Sequence, residues 1–394
     1  EWNRTLEDNN TAFPNSVQQT QEGGYVIVGS TFNSEIEPSN YNAILIKTDA
    51  DGYEEWSQTY GSPYEAYGKS VQQTADGGFI FTGYTWVPES YYDPWLVKTD
   101  SEGNEEWIKT FIESEEDGNL FEMGHSLQET TDGGYIIGGR NSQNGNSLLI
   151  KTDSEGNEEW IQTFSTNGGG QGQTFGLQTL DGGYVIIARS GVSGTILHKA
   201  DSEGNEEWNQ SWEGFTPAHI QQTYDEGYIF AMGWGGEHRI VKTDSEGNEE
   251  WIQNHGGASN DDIYCVQNTD DYGFILTGST SSFGNGNNDV WLIRLETWDS
   301  TPPAISINTI PINVGTNDTL TLNWSASDNM LLTMAHIYYS SNSLESLELL
   351  DSVNAELGTY TFDVPDSQIT SYSSFIIEVY DNAGNSSSDT SNFF

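Results

Sequence analysis

Cysteine is almost absent from this chain. Cys265 is the only one in 394 residues, so no intrachain disulfide can form and the redox compartment stays unresolved. Cations are scarce as well: 12 Lys and Arg stand against 60 Asp and Glu, a net charge of −48. That balance excludes nucleic acid as a partner, because phosphate contacts need a basic surface, and it disfavours anionic membranes. It also fits a salty or calcium-containing medium that screens the repulsion. No stretch approaches the roughly 20 apolar residues of a membrane-spanning helix, so direct membrane insertion is not expected. The six histidines (His125, His198, His219, His238, His255, His336) show no zinc spacing, and no nucleophile elbow, P-loop or dinucleotide fingerprint occurs. On these absences the chain is expected not to be an enzyme and to need no cofactor, calcium aside. A site assembled from single residues on separate strands would, however, leave no local motif.

What the chain has is a repeat. Lys47 to Trp56 reads KTDADGYEEW, and KTDSEGNEEW or KADSEGNEEW returns at Lys98, Lys151, Lys199 and Lys242. The period matches one four-stranded propeller blade rather than a helical solenoid unit. Within the third unit, Ser126–Thr130, Tyr135–Gly139, Leu148–Thr152 and Glu158–Phe164 read as strands, separated by Asp-Gly-Gly and Asp-Ser-Glu-Gly-Asn turns. Gly24, Gly78, Gly134, Gly183, Gly227 and Gly273 mark six such units. The sixth lacks its Glu-Glu-Trp strand, while the chain opens on Glu1-Trp-Asn-Arg-Thr5. The fold class predicted is therefore an all-β, six-bladed propeller over residues 1–296, closed by the N-terminal strand so that Trp2 completes a ring of six tryptophans.

The GGY-x-x-x-G and LIKTD-x-x-GN-x-x-W segments resemble propeller repeats of secreted archaeal and bacterial surface proteins. The D-x-x-G-x-x-x-W part also resembles the tryptophan-docking motif of quinoprotein-type propellers, one residue shorter, and approaches the Asp-box of sialidases with a longer Gly-to-Trp spacing. The resemblance speaks for fold far more than for activity.

A Pro-containing linker, residues 297–303, precedes a segment with no Lys or Arg. Alternating runs such as Leu320–Trp324 and Ser374–Tyr380 over 304–394 predict an Ig-like or fibronectin-like β-sandwich. Asp-x-Thr-Pro-Pro at Asp299, Ala326-Ser-Asp-Asn329 and Asp381-Asn-Ala-Gly-Asn385 resemble Ig-like modules of cell-surface proteins. The resemblance implies a spacer or assembly element. The abrupt end at Phe394 suggests an incomplete last strand that a neighbouring subunit supplies. The start without Met, in mid-blade, reads as a processed end of a secreted, extracellular protein. Sequons at Asn3, Asn9, Asn209, Asn317, Asn323 and Asn385 are candidate glycosylation sites.

Loops joining strands two and three, and joining units, vary in length, whereas the other two turns hardly vary. One face of the propeller is thus irregular, and binding is expected there. It carries an aromatic run from Tyr84 to Trp95 including Trp86, Tyr91 and Tyr92, joined by Trp234, suited to stacking on sugars or anchoring a partner. Arg140 and Arg189 hold equivalent places in adjacent units and could clamp a carboxylate, or simply pair with nearby acids. The per-unit lysines and the Asp49, Asp100, Asp153, Asp201 and Asp244 positions read as structural ion pairs and turn caps. Calcium between the domains would use Asp299, Asp328 or Asp381. The leading expectation is a surface structural or adhesion protein that self-associates or binds surface proteins and glycans, building a fibre or layer. The alternatives are a glycan-binding adhesin and a hydrolase or lyase acting on acidic polysaccharide.

Overall fold

The computed structural model describes residues 5–6, 11–33, 40–61, 64–88, 91–111, 122–141, 144–166, 168, 172–191, 194–234, 237–284, 289–295, 302–308, 319–328, 332–341, 344, 346–363, 373–381 and 385–393. The chain is all-β; among the described residues the one helical turn is the three-residue Ala355–Leu357. The repeat region forms five four-stranded antiparallel sheets and one three-stranded sheet, each with its strands in sequence order. Blade 1 comprises Thr11–Gln19, Tyr25–Asn33, Asn40–Thr48 and Glu54–Tyr60. Blade 2 comprises Ala66–Gln73, Phe79–Val87, Tyr91–Thr99 and Glu105–Thr110. Blade 3 comprises Glu122–Glu129, Tyr135–Asn141, Ser147–Thr152 and Glu158–Phe164. Blades 4 and 5 follow over 175–213 and 216–255. The three-stranded sheet, blade 6, runs over 261–295. The closing strand predicted at Glu1–Thr5 falls almost wholly outside the described residues.

The Gly-Gly turn works by two different mechanisms. Gly133 has φ 82°, and a Cβ there would meet open space. Gly134 is required by close approach: a Cβ would sit 2.1 Å from the Thr152 carbonyl oxygen and 2.7 Å from Lys151 Nζ. Blades 5 and 6 keep the second glycine but place Glu226 (φ 65°) and Tyr272 (φ 63°) at the first. Left-handed backbone is tolerated there at a cost, whereas the second position admits no side chain.

Blades cannot bury their faces alone, and each core cluster spans two of them. Val26, Val28 and Leu45 of blade 1 pack with Val71, Phe79 and Phe81 of blade 2. Ile80 and Leu96 of blade 2 pack with Leu127 and Ile137 of blade 3. At the edge of these clusters, and packed against them, the tryptophan of one blade lies on the turn glycine of the next. A Cβ on Gly156 would be 2.5 Å from the Trp107 ring, and Gly103, Gly204 and Gly247 stand likewise against Trp56, Trp160 and Trp208.

The chain divides into two compact units. One is Glu1–Gln222, Glu226–Val266 and Thr277–Trp291; the other is Thr223–Asp225, Gln267–Leu276 and Leu292–Phe394. In the second, Ala304–Ile307, Thr319–Ser327 and Thr359–Asp363 form one sheet. Glu348–Asn354, Leu332–Ser340, Ser374–Asp381 and Ser386–Thr390 form another, in that order. Their alternating inner residues, among them Leu322, Trp324, Ile337, Phe375 and Ile377, share one core. The premise of a missing last strand does not hold, because Ser386–Thr390 pairs with Ser374–Asp381 and Asp389 accepts the Ile307 amide at 2.8 Å.

Candidate functional site

Six of the twelve Lys and Arg serve the fold. Lys151, 2% exposed, donates to Asp132 and Glu159 at 2.9 Å each and to the Thr152 carbonyl at 2.8 Å. Lys98 is held by Asp76 and Glu106, Lys199 by Asp181 and Glu207, and Lys47 by Glu22 and Glu55. Lys242 bonds Glu250, and Arg294 bonds Asp271. Burial alone would raise the pKa of Asp132, but its bonds to Thr130, Lys151 and the Gly134 amide outweigh that and bring it down to about 2. The next turn is capped by Asp153, whose Oδ1 accepts the Glu155 and Asn157 amides at 3.0 and 2.7 Å. The regular face is therefore a repeated structural device.

The irregular face differs. Its predicted aromatic loop is largely strand, the end of Phe79–Val87 and the start of Tyr91–Thr99. This corrects the role of Trp95. The ring is 2% exposed, edge-on to Phe81, and its Nε1 donates to the Tyr67 carbonyl, so it is core rather than a platform. Trp86 remains half-buried against exposed Tyr64, with ring centroids 5.1 Å apart. The side chains of Tyr91 and Trp234 lie outside the described residues.

Beside them stands a tyrosine wall: Tyr84 and Tyr92 come from the predicted aromatic run, whereas Tyr41 and Tyr67 carried no sequence signal. Tyr41, Tyr67 and Tyr84 stack in series at 5.1 and 4.7 Å, and Tyr92 meets Tyr67 and Tyr84 edge-on at 6.1 and 5.5 Å. All four rings are half-buried rather than core. Tyr92 Oη donates to the Glu65 carboxylate, and Tyr67 Oη donates to the same oxygen at 3.4 Å. Burial, then bonding and repulsion from Glu65, push the Tyr92 pKa up to about 12, and burial raises Tyr67 and Tyr84. At neutral pH Tyr67, Tyr84 and Tyr92 therefore keep their protons.

Basic groups adjoin the wall. Arg140 Nη2 donates to Met123 Sδ at 3.6 Å, and its charge acts on Tyr84. Among the described residues no carboxylate lies within ion-pair distance of Arg140. Arg189 ends its own strand one blade on, across from Thr195 as Arg140 is across from Ser147. Lys69 stands 5.7 Å from the Tyr84 ring centroid, again with no carboxylate. Lys69 and His125 carried no sequence signal of their own, because what unites them with Arg140 is strand register.

The metal expectation fares differently. Asp381 is a turn cap, accepting the Asn385 amide and side-chain nitrogen at 2.8 Å each. Asp328 is half-buried with Oδ2 covered, and Asp299 lies outside the described residues. No group of three His, Cys, Asp or Glu side chains converges among the described residues. Of the sequons, Asn209 and Asn323 are exposed on strands, while the Asn385 amide is engaged by Asp381. Asn3, Asn9 and Asn317 lie outside the described residues.

No family model and no curated protein sequence matches the chain. Solved structures do. A protein from Lactobacillus plantarum is 12% identical with a TM-score of 0.43, covering 87% of this chain and 98% of that one. A GH43 β-1,3-galactosidase is 10% identical with a TM-score of 0.37, covering 59% and 90%. Prolyl oligopeptidase B from Galerina marginata is 10% identical with a TM-score of 0.40, covering 79% and 46%. At such identities and scores the likeness assigns no residue a role. Two of the three are nevertheless enzymes by name, and the expectation that this chain is not an enzyme is corrected accordingly: the lack of a local motif was an insufficient ground for it.

Proposed function

We propose that the irregular face of the propeller binds a saccharide against the Tyr41–Tyr67–Tyr84–Tyr92 wall and that the chain acts on glycans as a hydrolase or lyase. The observation that carries this is the wall itself: four half-exposed tyrosines from two blades, with Glu65 hydrogen-bonded at its edge. Aromatic faces stack on the apolar faces of sugar rings while their hydroxyls bond the polar rim. Glu65 is the group placed to move a proton at a bound sugar, and Trp86 lies beside it, its amide bonded to the Glu65 carbonyl. Product release from a panel of neutral and acidic polysaccharides tests the reading. Turnover should fall at least about a hundredfold in Glu65→Gln, the usual scale for a lost acid–base group, with little change in melting. Turnover on no member of the panel, or full turnover in Glu65→Gln and Tyr84→Ala, overturns it.

The scaffold proposed for this site is a closed ring of six blades, completed by Glu1–Thr5 as the outer strand of blade 6, followed by an Ig-like module in a secreted protein. Two exposed surfaces support closure. Val17 on blade 1 is 63% exposed, although its equivalents Val71 and Ile220 are 3% and 2% exposed against the preceding blade. Val290 on blade 6 is 87% exposed, although its equivalents Ala43 and Thr195 are fully buried. Each surface is what the other blade would cover. With Cys265 replaced by Ser, Val17→Cys and Val290→Cys in one chain should form an intramolecular disulfide in a monomer. Covalent oligomers, or no cross-link, would contradict closure.

A further inference from the structure

The first strands share an irregularity at one level. In blades 1, 2, 3 and 5, pairing with the second strand skips one residue: Asn15, Lys69, His125 and Ala218. A bulge of this kind adds a residue to one strand and re-aims its side chain. Three of the four are built in by glycine on the partner strand. A Cβ on Gly29, Gly83 or Gly139 would lie 2.4, 1.8 or 2.6 Å from the carbonyl oxygen of Phe13, Tyr67 or Met123. The first three bulges thus set polar side chains side by side on successive blades.

These side chains meet. Asn15 Nδ2 donates across the blade boundary to the Gly68 carbonyl at 2.8 Å, and Lys69 Nζ donates to Asn15 Oδ1 at 3.5 Å. Burial holds the pKa of His125 down to about 3, and repulsion from Arg140 and Lys69 adds to it. Lys69 and Arg140 thus both lie near enough to His125 to disfavour its charge, and Lys69 stands by the Tyr84 ring on which Arg140 also acts. Yet neither cation feels a carboxylate among the described residues, in a chain with five times as many acids as bases. Gathering and partly desolvating like charges is unfavourable unless an opposite charge joins them.

We infer that Lys69, set by its first-strand bulge, and Arg140, on the second strand of the next blade, form beside Tyr84 a subsite for an oxyanion: the carboxylate or sulfate ester of an acidic sugar. Lys69 supplies a point charge oriented by Asn15, and Arg140 a planar fork suited to two oxygens. Neutral His125 adds hydrogen-bonding capacity without a third charge. The inference rests on the saccharide reading of this face and fixes its substrate class as acidic.

Calorimetric titration of the full chain with sodium sulfate, tetragalacturonate and a neutral tetragalactoside tests it. The wild type should bind sulfate and bind the acidic oligosaccharide at least about tenfold more tightly than the neutral one. Lys69→Gln and Arg140→Gln should each remove that advantage and leave neutral binding unchanged, while Lys69→Arg retains it. The Arg variant keeps the test valid if Lys69→Gln melts early. Acidic binding unchanged in both Gln variants, or no sulfate binding together with no acidic preference in the wild type, overturns the subsite. Sulfate binding that is lost in Lys69→Gln, with neither oligosaccharide bound, upholds the subsite and counts against the saccharide reading alone.

Discussion

Lys151 and Lys69 carry the same charge on the same scaffold in opposite settings. Lys151 is buried between two carboxylates and a carbonyl, and its counterparts repeat that arrangement blade after blade. Lys69 lies on the irregular side with an amide oxygen and a tyrosine ring for company. The lesson is about where charge is compensated. With 60 acids available, cations that hold the fold acquire partners, whereas Lys69 meets no carboxylate among the described residues.

The comparison can be broken at several points. The largest effect is expected at Trp95, where Ala should cost about 3–5 kcal/mol because a buried indole is removed from a packed core. Trp86→Ala, on the surface of the same region, should cost less than about 1 kcal/mol. Denaturant midpoints of the two variants check this, and equal losses would return Trp95 to the surface. Gly134→Ala follows at about 3 kcal/mol, since its Cβ would overlap the Thr152 carbonyl, against about 1–2 kcal/mol for Gly133→Ala from backbone strain alone.

Lys151→Met should cost about 2 kcal/mol. That is less than the 3–5 typical of fully buried pairs, because Asp132 and Glu159 stay half exposed. Removing Lys151 should also return the Asp132 pKa toward its ordinary value. A carboxylate depressed on folding adds stability above its unfolded pKa, and that stability fades as pH falls from about 4 toward 2. The variant should lose part of this acid dependence in pH-dependent melting. Smaller again is His198, which is buried where other blades carry Ile46, Val97, Ile150 and Val241, and burial lowers its pKa. Its depressed pKa makes stability decline as pH drops below about 6.5. His198→Val should flatten that decline, and an unchanged pH profile would show that His198 takes no part in it.

Much of the fold was legible because the repeat writes steric requirements into sequence. Gly134 recurs as Gly24, Gly78, Gly183, Gly227 and Gly273 since a backbone oxygen occupies the place of a side chain. Trp56, Trp107, Trp160 and Trp208 recur because each lies on the next blade's turn glycine. The site was only half legible. Arg140 was visible as a departure from the repeat, but Lys69, His125 and Asn15 converge through register shifts, and a bulge has no residue type of its own. Trp95 was misread because an aromatic-rich run looked like a loop, whereas strand alternation turns that ring inward.

The division between structural and ligand-holding cations is tested most directly by the melting shift that saturating sulfate produces in the wild type, Lys151→Met and Lys69→Met. A ligand that binds only the native state raises melting in proportion to its occupancy. Sulfate should raise the wild type and Lys151→Met by the same increment, from a lower starting point in the latter. Lys69→Met should begin within about 0.5 kcal/mol of the wild type, as surface-type substitutions do, and show no shift. An equal sulfate shift in all three proteins, or a Lys69→Met that is as destabilised as Lys151→Met, would contradict it.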